Sequence, residues 1–100
     1  MENERREYER ARVSIEARWE GLSGQHKARV ADLSRGGCFI DTLGKAEISE
    51  FIAFAIKQPD GKWLQLRGQV VSVDQQAGFS VAFTHLTEDE QSALAQFITI

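Results

Sequence analysis

Arg6 and Arg10 stand four residues apart in the charged segment Arg5-Arg6-Glu7-Tyr8-Glu9-Arg10. Asp32, Ser34, Gly36 and Gly37 share a later segment, Asp32-Leu33-Ser34-Arg35-Gly36-Gly37. A guanidinium makes bidentate bonds to phosphate oxygens and to O6 and N7 of guanine. A carboxylate accepts from guanine N1–H and N2–H, and a hydroxyl can donate to a phosphate. Glycine admits positive φ and close approach of another backbone. On an extended arm, positions four apart face the same side, roughly 13 Å apart at about 3.3 Å per residue. On a turn of helix they are neighbours. In either form both arginines can address one ligand. Each segment alone also has a plain reading: a solvated charged arm, or a turn whose Asp and Ser bond their own backbone. Together they supply arginine for the Hoogsteen edge and aspartate for the Watson–Crick edge, a complementary set for guanine and phosphate.

Those groups must be held by a small domain. One hundred residues make a single unit with enough apolar content, 42%, for one core. The formal charge of −3 and the pI near 5.3 argue against a general nucleic-acid binder. The charge is uneven. Arg5, Arg6, Arg10, Arg12 and Arg18 lie early and Glu88, Asp89 and Glu90 lie late, a distribution suited to a small anion rather than a polyanion. The longest apolar run, Phe51 to Ile56, is far short of the roughly 20 residues that span a bilayer. The N-terminus is charged from Glu2 and no apolar stretch follows, so no signal peptide is expected. A single cysteine, Cys38, and two distant histidines, His26 and His85, offer neither a disulfide nor metal-ligand spacing.

The hydrophobic periodicity predicts strands. Val13, Ile15, Ala17 and Trp19 alternate with polar residues. Gly21 to Gly24 is a turn, and Ala28 and Val30 mark the inward face of a second strand over His26 to Asp32. Cys38 to Asp41 resumes extended structure. Phe51 to Ile56 ends in the hairpin sequence Gln58-Pro59-Asp60-Gly61-Lys62. Trp63 to Val73 is the longest candidate, with a phase slip near Gly68 that predicts a bulge or a sharp bend there. Phe79, Val81 and Phe83 alternate as a last strand. Thr87 to Glu90 forms a capping box before a helix whose apolar stripe is Ala93, Leu94, Phe97 and Ile98. Five or six short strands and one terminal helix predict a small antiparallel barrel with the helix packed on it.

The pairing Arg6-x-x-x-Arg10 with Asp32-x-Ser34-x-x-Gly37 resembles the signature of PilZ domains. The likeness covers nearly the whole chain, through Gly37-Cys38-Phe39-Ile40, Gly78-Phe79-Ser80-Val81-Ala82-Phe83 and the terminal helix. It implies a mainly β fold, a six-stranded antiparallel β-barrel with a C-terminal α-helix. It also implies a bacterial, cytoplasmic receptor for the second messenger cyclic di-GMP. By that resemblance Arg6 and Arg10 grip guanines and phosphates from a flexible arm over residues 1–12. Arg5 favours a stacked pair of ligand molecules. Asp32, Ser34 and Gly37, with Gly36 in the same turn, contact the ligand from a barrel over residues 13–100. Ordering of the arm would relay the signal to a downstream partner protein.

The other residues read as structure. Trp19 and Trp63 fit core or barrel-rim positions, and Cys38 fits a buried small hydrophobe. Trp19, Phe39, Phe51, Phe54, Phe79 and Phe83 fall in inward or continuous apolar patterns, which leaves no aromatic platform for single-stranded nucleic acid. Arg12 and Arg35 are either phosphate contacts or solvated residues. No nucleophile with a base is visible, so no enzyme, cofactor or metal is expected. The competing class is a nucleotide-independent protein–protein adaptor on the same fold.

Overall fold

The computed structural model describes residues 11–98. Six antiparallel strands are followed by a helix: β1 (Ala11–Gly21), β2 (Gly24–Leu33), β3 (Gly37–Asp41), β4 (Phe51–Lys57), β5 (Trp63–Asp74), β6 (Gly78–Phe83) and α1 (Glu88–Ile98). The strands close into a barrel in the order β1-β2-β3-β6-β5-β4, with β4 pairing back onto β1. The barrel with a terminal helix is the architecture expected from the strand pattern. β1 begins at Ala11, two residues before the alternation becomes readable at Val13, because Ala11 and Arg12 already pair with Leu33 and Asp32 of β2.

The interior is filled by alternate residues of every strand. Trp19, Val30, Leu33, Ile40, Ile56, Leu66, Val70 and Phe79 are all buried, and Leu94 of α1 joins the same cluster. Trp19 meets Phe79 edge-on with ring centroids 4.9 Å apart, and its indole N–H donates to Thr42 Oγ1 at 3.1 Å. That bond satisfies the one polar atom of a ring that is 2% exposed. Cys38 is buried, and burial pushes its thiol pKa well above the ordinary value. Trp63 lies at the rim, where the Arg18 guanidinium stacks 4.1 Å from the ring centroid.

Two expectations change. The irregularity of β5 lies between Val70 and Ser72, not at Gly68. Gly68 keeps register opposite Phe83, and a Cβ there would strike Val81 Cγ1 and the Ala82 carbonyl. Its role is close packing against β6. Phe51 is not part of an inward apolar run; it opens β4 on the outer face, 67% exposed.

The helix begins as the capping box predicts. Glu90 N–H donates to Thr87 Oγ1 and Thr87 N–H donates to Glu90 Oε1, both at 3.1 Å. Arg67 of β5 adds a second tie, donating from Nη2 to the His85 carbonyl and to Glu90 Oε1, each at 2.8 Å.

The chain direction sorts the connections into two groups at opposite ends of the barrel. One end carries the start of β1, the β2–β3 turn, the β4–β5 hairpin and α1. The other carries the β1–β2 hairpin, the β3–β4 connection and the β5–β6 hairpin.

Candidate functional site

Asp32, Ser34, Gly36 and Gly37 gather at the end that holds the start of β1. Arg5, Arg6 and Arg10 lie outside the described residues, and the chain reaches β1 one residue after Arg10. Asp32 is half-buried and pairs in register with Arg12 on β1 and with Phe39 on β3. Strict alternation from the buried Val30 would turn Asp32 into the core. Two local irregularities prevent this. β2 has one extra residue, Ala31, between its pairings with Ile40 and Phe39. β1 has Val13 and Ser14 where β2 offers only Ala31. Each bulge resets the pleat, so Leu33 returns to the core and Asp32 joins the outer face.

The Ser34 hydroxyl stays within the turn. Its Oγ accepts from Gly36 N–H at 3.2 Å and Gly37 N–H at 3.3 Å, and lies 3.3 Å from the Gly37 carbonyl as donor. The Ser34 N–H also donates to the Gly37 carbonyl at 2.9 Å. Such bonds fix the turn that follows Asp32, which itself lies beside the start of β1.

Gly37 has a different reason from the positive φ that a turn glycine invites. The described glycines with positive φ are Gly24, Gly61 and Gly78. At Gly37 a Cβ would collide with the Val81 carbonyl of β6. Gly36 ties to the same strand, its carbonyl accepting from Phe83 N–H at 2.9 Å.

The sequence pattern leaves Arg12 and Arg35 as either phosphate contacts or solvated residues, and it places Phe39 among the inward aromatics, which the structure corrects. Phe39 is half-buried on the outer face between Asp32 and Ser80, because Cys38 and Ile40 take the inward positions. That phase was readable from the alternation of β3 itself. Arg12 stands opposite Asp32, a pairing visible only once register is known. Arg35 projects from the turn toward α1, where it lines a groove of about 590 Å³ with Leu86, Glu88, Gln91, Ser92 and Ala95. An aromatic edge, a carboxylate and two guanidiniums thus surround the turn. A purine base and an anionic group are the chemistry that such a set accommodates. Among the described residues no group of three or more His, Cys, Asp or Glu is arranged to hold a metal ion, and no helix is long and apolar enough to cross a membrane.

Comparison with known proteins agrees with this architecture. No curated protein matches the chain. Among solved structures, the Bacillus subtilis inhibitor of motility MotI/DgrA superposes with a TM-score of 0.76 at 17% identity, covering 93% of this chain and 48% of that one. The chain therefore spans about half the length of that inhibitor. The PilZ domain of YcgR from Escherichia coli, solved with c-di-GMP, gives a TM-score of 0.74 at 17% identity, covering 94% of this chain and 88% of that one. The PilZ domain of CeSA from a cellulose-synthesizing bacterium gives 0.70 at 16% identity, covering 90% and 94%. At such identities the superpositions speak for the fold alone. The family model of the PilZ domain matches residues 4–99, which takes in both arginine and aspartate segments and every element of the barrel. The chain belongs to the PilZ domain family.

Proposed function

We propose that the chain is a receptor for cyclic di-GMP, a binding domain rather than an enzyme. The observation that carries this reading is the outward turn of Asp32, set by two adjoining bulges, at the barrel end where the arginine arm joins β1. In this reading Arg6 and Arg10 close over guanine and phosphate from the arm, and Asp32 accepts from the base edge. Ser34, Gly36 and Gly37 hold the turn that presents it, and Arg5 recruits a second ligand molecule. The YcgR domain solved with c-di-GMP supports the choice of ligand. Ligand binding orders the arm across the barrel, and the ordered arm is what a downstream partner in a bacterial cytoplasm reads.

Titration calorimetry with cyclic di-GMP, with the nucleotides bound per chain counted, tests this directly. Saturable binding is expected. Arg6→Ala or Arg10→Ala should each cost about 1–3 kcal/mol, or roughly 10- to 100-fold in affinity. Wild-type protein that shows no saturation would overturn the proposal and favour the nucleotide-independent adaptor.

A further inference from the structure

The described residues expose six large apolar side chains, Leu22, Leu43, Ile48, Phe51, Val71 and Val73, and all six lie at the barrel end opposite the Asp32 turn. Leu22 is at the tip of the β1–β2 hairpin. Leu43 and Ile48 belong to the β3–β4 connection, Phe51 opens β4, and Val71 and Val73 close β5. Hydrogen bonds bring these segments together. The Glu50 carboxylate accepts from Leu22 N–H at 2.7 Å and from Glu47 N–H at 2.9 Å, tying the hairpin to the connection. Ser49 N–H donates to the Val70 carbonyl at 2.8 Å and Val70 N–H to the Glu50 carbonyl at 2.9 Å, which lays Ile48 and Phe51 alongside Val71. Thr42 N–H donates to the Ala77 carbonyl at 3.1 Å, holding the loop that carries Leu43 against the β5–β6 hairpin.

Folding does not account for this grouping. Leu22 and Leu43 are 89% and 93% exposed, so neither packs on the core. A single exposed leucine is ordinary, whereas six large apolar side chains exposed at one end of the barrel point to an interaction site. The same loops and strand ends carry Glu20, Asp41, Glu47, Glu50 and Asp74 against Lys45 and, a little further along β2, Lys27. That excess of carboxylates decides the occupant. A second copy seated on the same face would set acid against acid, and an anionic membrane would be repelled. An apolar surface rimmed by lysine or arginine is complementary.

We propose that this end of the barrel is a docking surface for a partner protein that presents an apolar patch with a basic rim. The surface is independent of the cyclic di-GMP reading, and a partner seated there leaves the Asp32 turn open.

Amide NMR of the labelled full chain tests it, with a short amphipathic helix peptide of leucine and lysine as the probe. Saturable shifts confined to Leu22, the 42–50 connection, Phe51, Val71 and Val73 are expected, and they should weaken as salt is raised. The double variant Leu43→Ser, Phe51→Ser should lose about tenfold in affinity or more while keeping a dispersed spectrum. Should it lose that dispersion, Leu43→Ser alone carries the test. Four results would overturn the proposal: no saturable shift at this end; equal binding of a leucine–glutamate peptide; concentration-dependent shifts at the same residues without peptide, which would mean self-association; or binding of phosphatidylglycerol vesicles through them.

Discussion

Replacing Gly37 with alanine separates a packing role for this turn glycine from a ligand-contacting one. An ideal Cβ at Gly37 falls inside the 3.0 Å that real Cβ contacts essentially never breach, and its neighbour is a backbone carbonyl, Val81 O, which cannot swing aside. The β3 and β6 backbones must therefore part at the Gly37–Ala82 pair, by more than an ångström, to reach ordinary contact. The adjoining bond from Phe83 N–H to the Gly36 carbonyl is the first to stretch. Overpacking of this kind costs about 1–3 kcal/mol, and one lost backbone bond adds about 0.5–1.5 kcal/mol. The expected total is roughly 2–4 kcal/mol, which in a domain of this size lowers Tm by roughly 10–25 °C. Urea unfolding followed by tryptophan fluorescence measures it, with an unchanged m-value expected. Gly61→Ala is the control. Gly61 has φ +89° and no atom within 4 Å of its would-be Cβ, so alanine there carries only the left-handed backbone cost of about 1–2 kcal/mol. If Gly37→Ala proves no more costly than Gly61→Ala, the close-approach argument fails.

Three further outcomes follow from bonds described above. Ser34→Ala removes an acceptor shared by two turn N–H groups and should destabilise by about 1 kcal/mol in the same urea assay; no change would mean that water replaces the hydroxyl fully. Arg67→Ala removes both ties to the start of α1 and should cost about 1–3 kcal/mol, with reduced helical circular dichroism. The Glu90 carboxyl is held below its usual 4.5, chiefly by the Thr87 N–H and, against the cost of desolvation, by Arg67. Its stabilisation is therefore full above pH 4.5 and is lost as pH falls through the depressed folded value, so the stability gap between wild type and Glu90→Gln should close in acid. A gap that stays constant down to pH 3 would contradict this assignment. Finally, Cys38 should react with a thiol reagent only as fast as the chain opens, because burial both hides the sulfur and disfavours its thiolate.

Local rules read much of this molecule correctly. The capping box at Thr87–Glu90 depends on spacing within one turn of chain, and it forms as written. Trp19 and Cys38 are buried as their strand phases require. The misses all concern relations between strands. Asp32 faces outward because Ala31 is an extra residue relative to β3, and no feature of the Val30-Ala31-Asp32 triplet announces which partner it will be counted against. At Gly37 the sequence offers both positive φ and close backbone approach, and only bringing β6 against it selects the second. Phe51 reads as core because it adjoins Ile52 and Phe54, yet it sits one step out of their phase, and apolar content alone cannot distinguish a buried strand from one whose outer face is offered to something else. Arg5, Arg6 and Arg10 remain expectations of the sequence, since they precede the described residues.

The closed ring of strands constrains what this domain can be joined to. With β4 paired back onto β1, every one of the six strands has two neighbours. Among the described residues only short stretches lie outside the ladders, such as 11–16 of β1 on its β4 side and 24–28 of β2 on its β3 side, so β-augmentation by a peptide or edge-to-edge fusion with another copy has no full-length edge strand to use. The fold is thus a plug rather than a socket for chain. It can be strung beside other domains, or held at high concentration, without its sheet propagating. Recognition then falls chiefly to side chains on its surface.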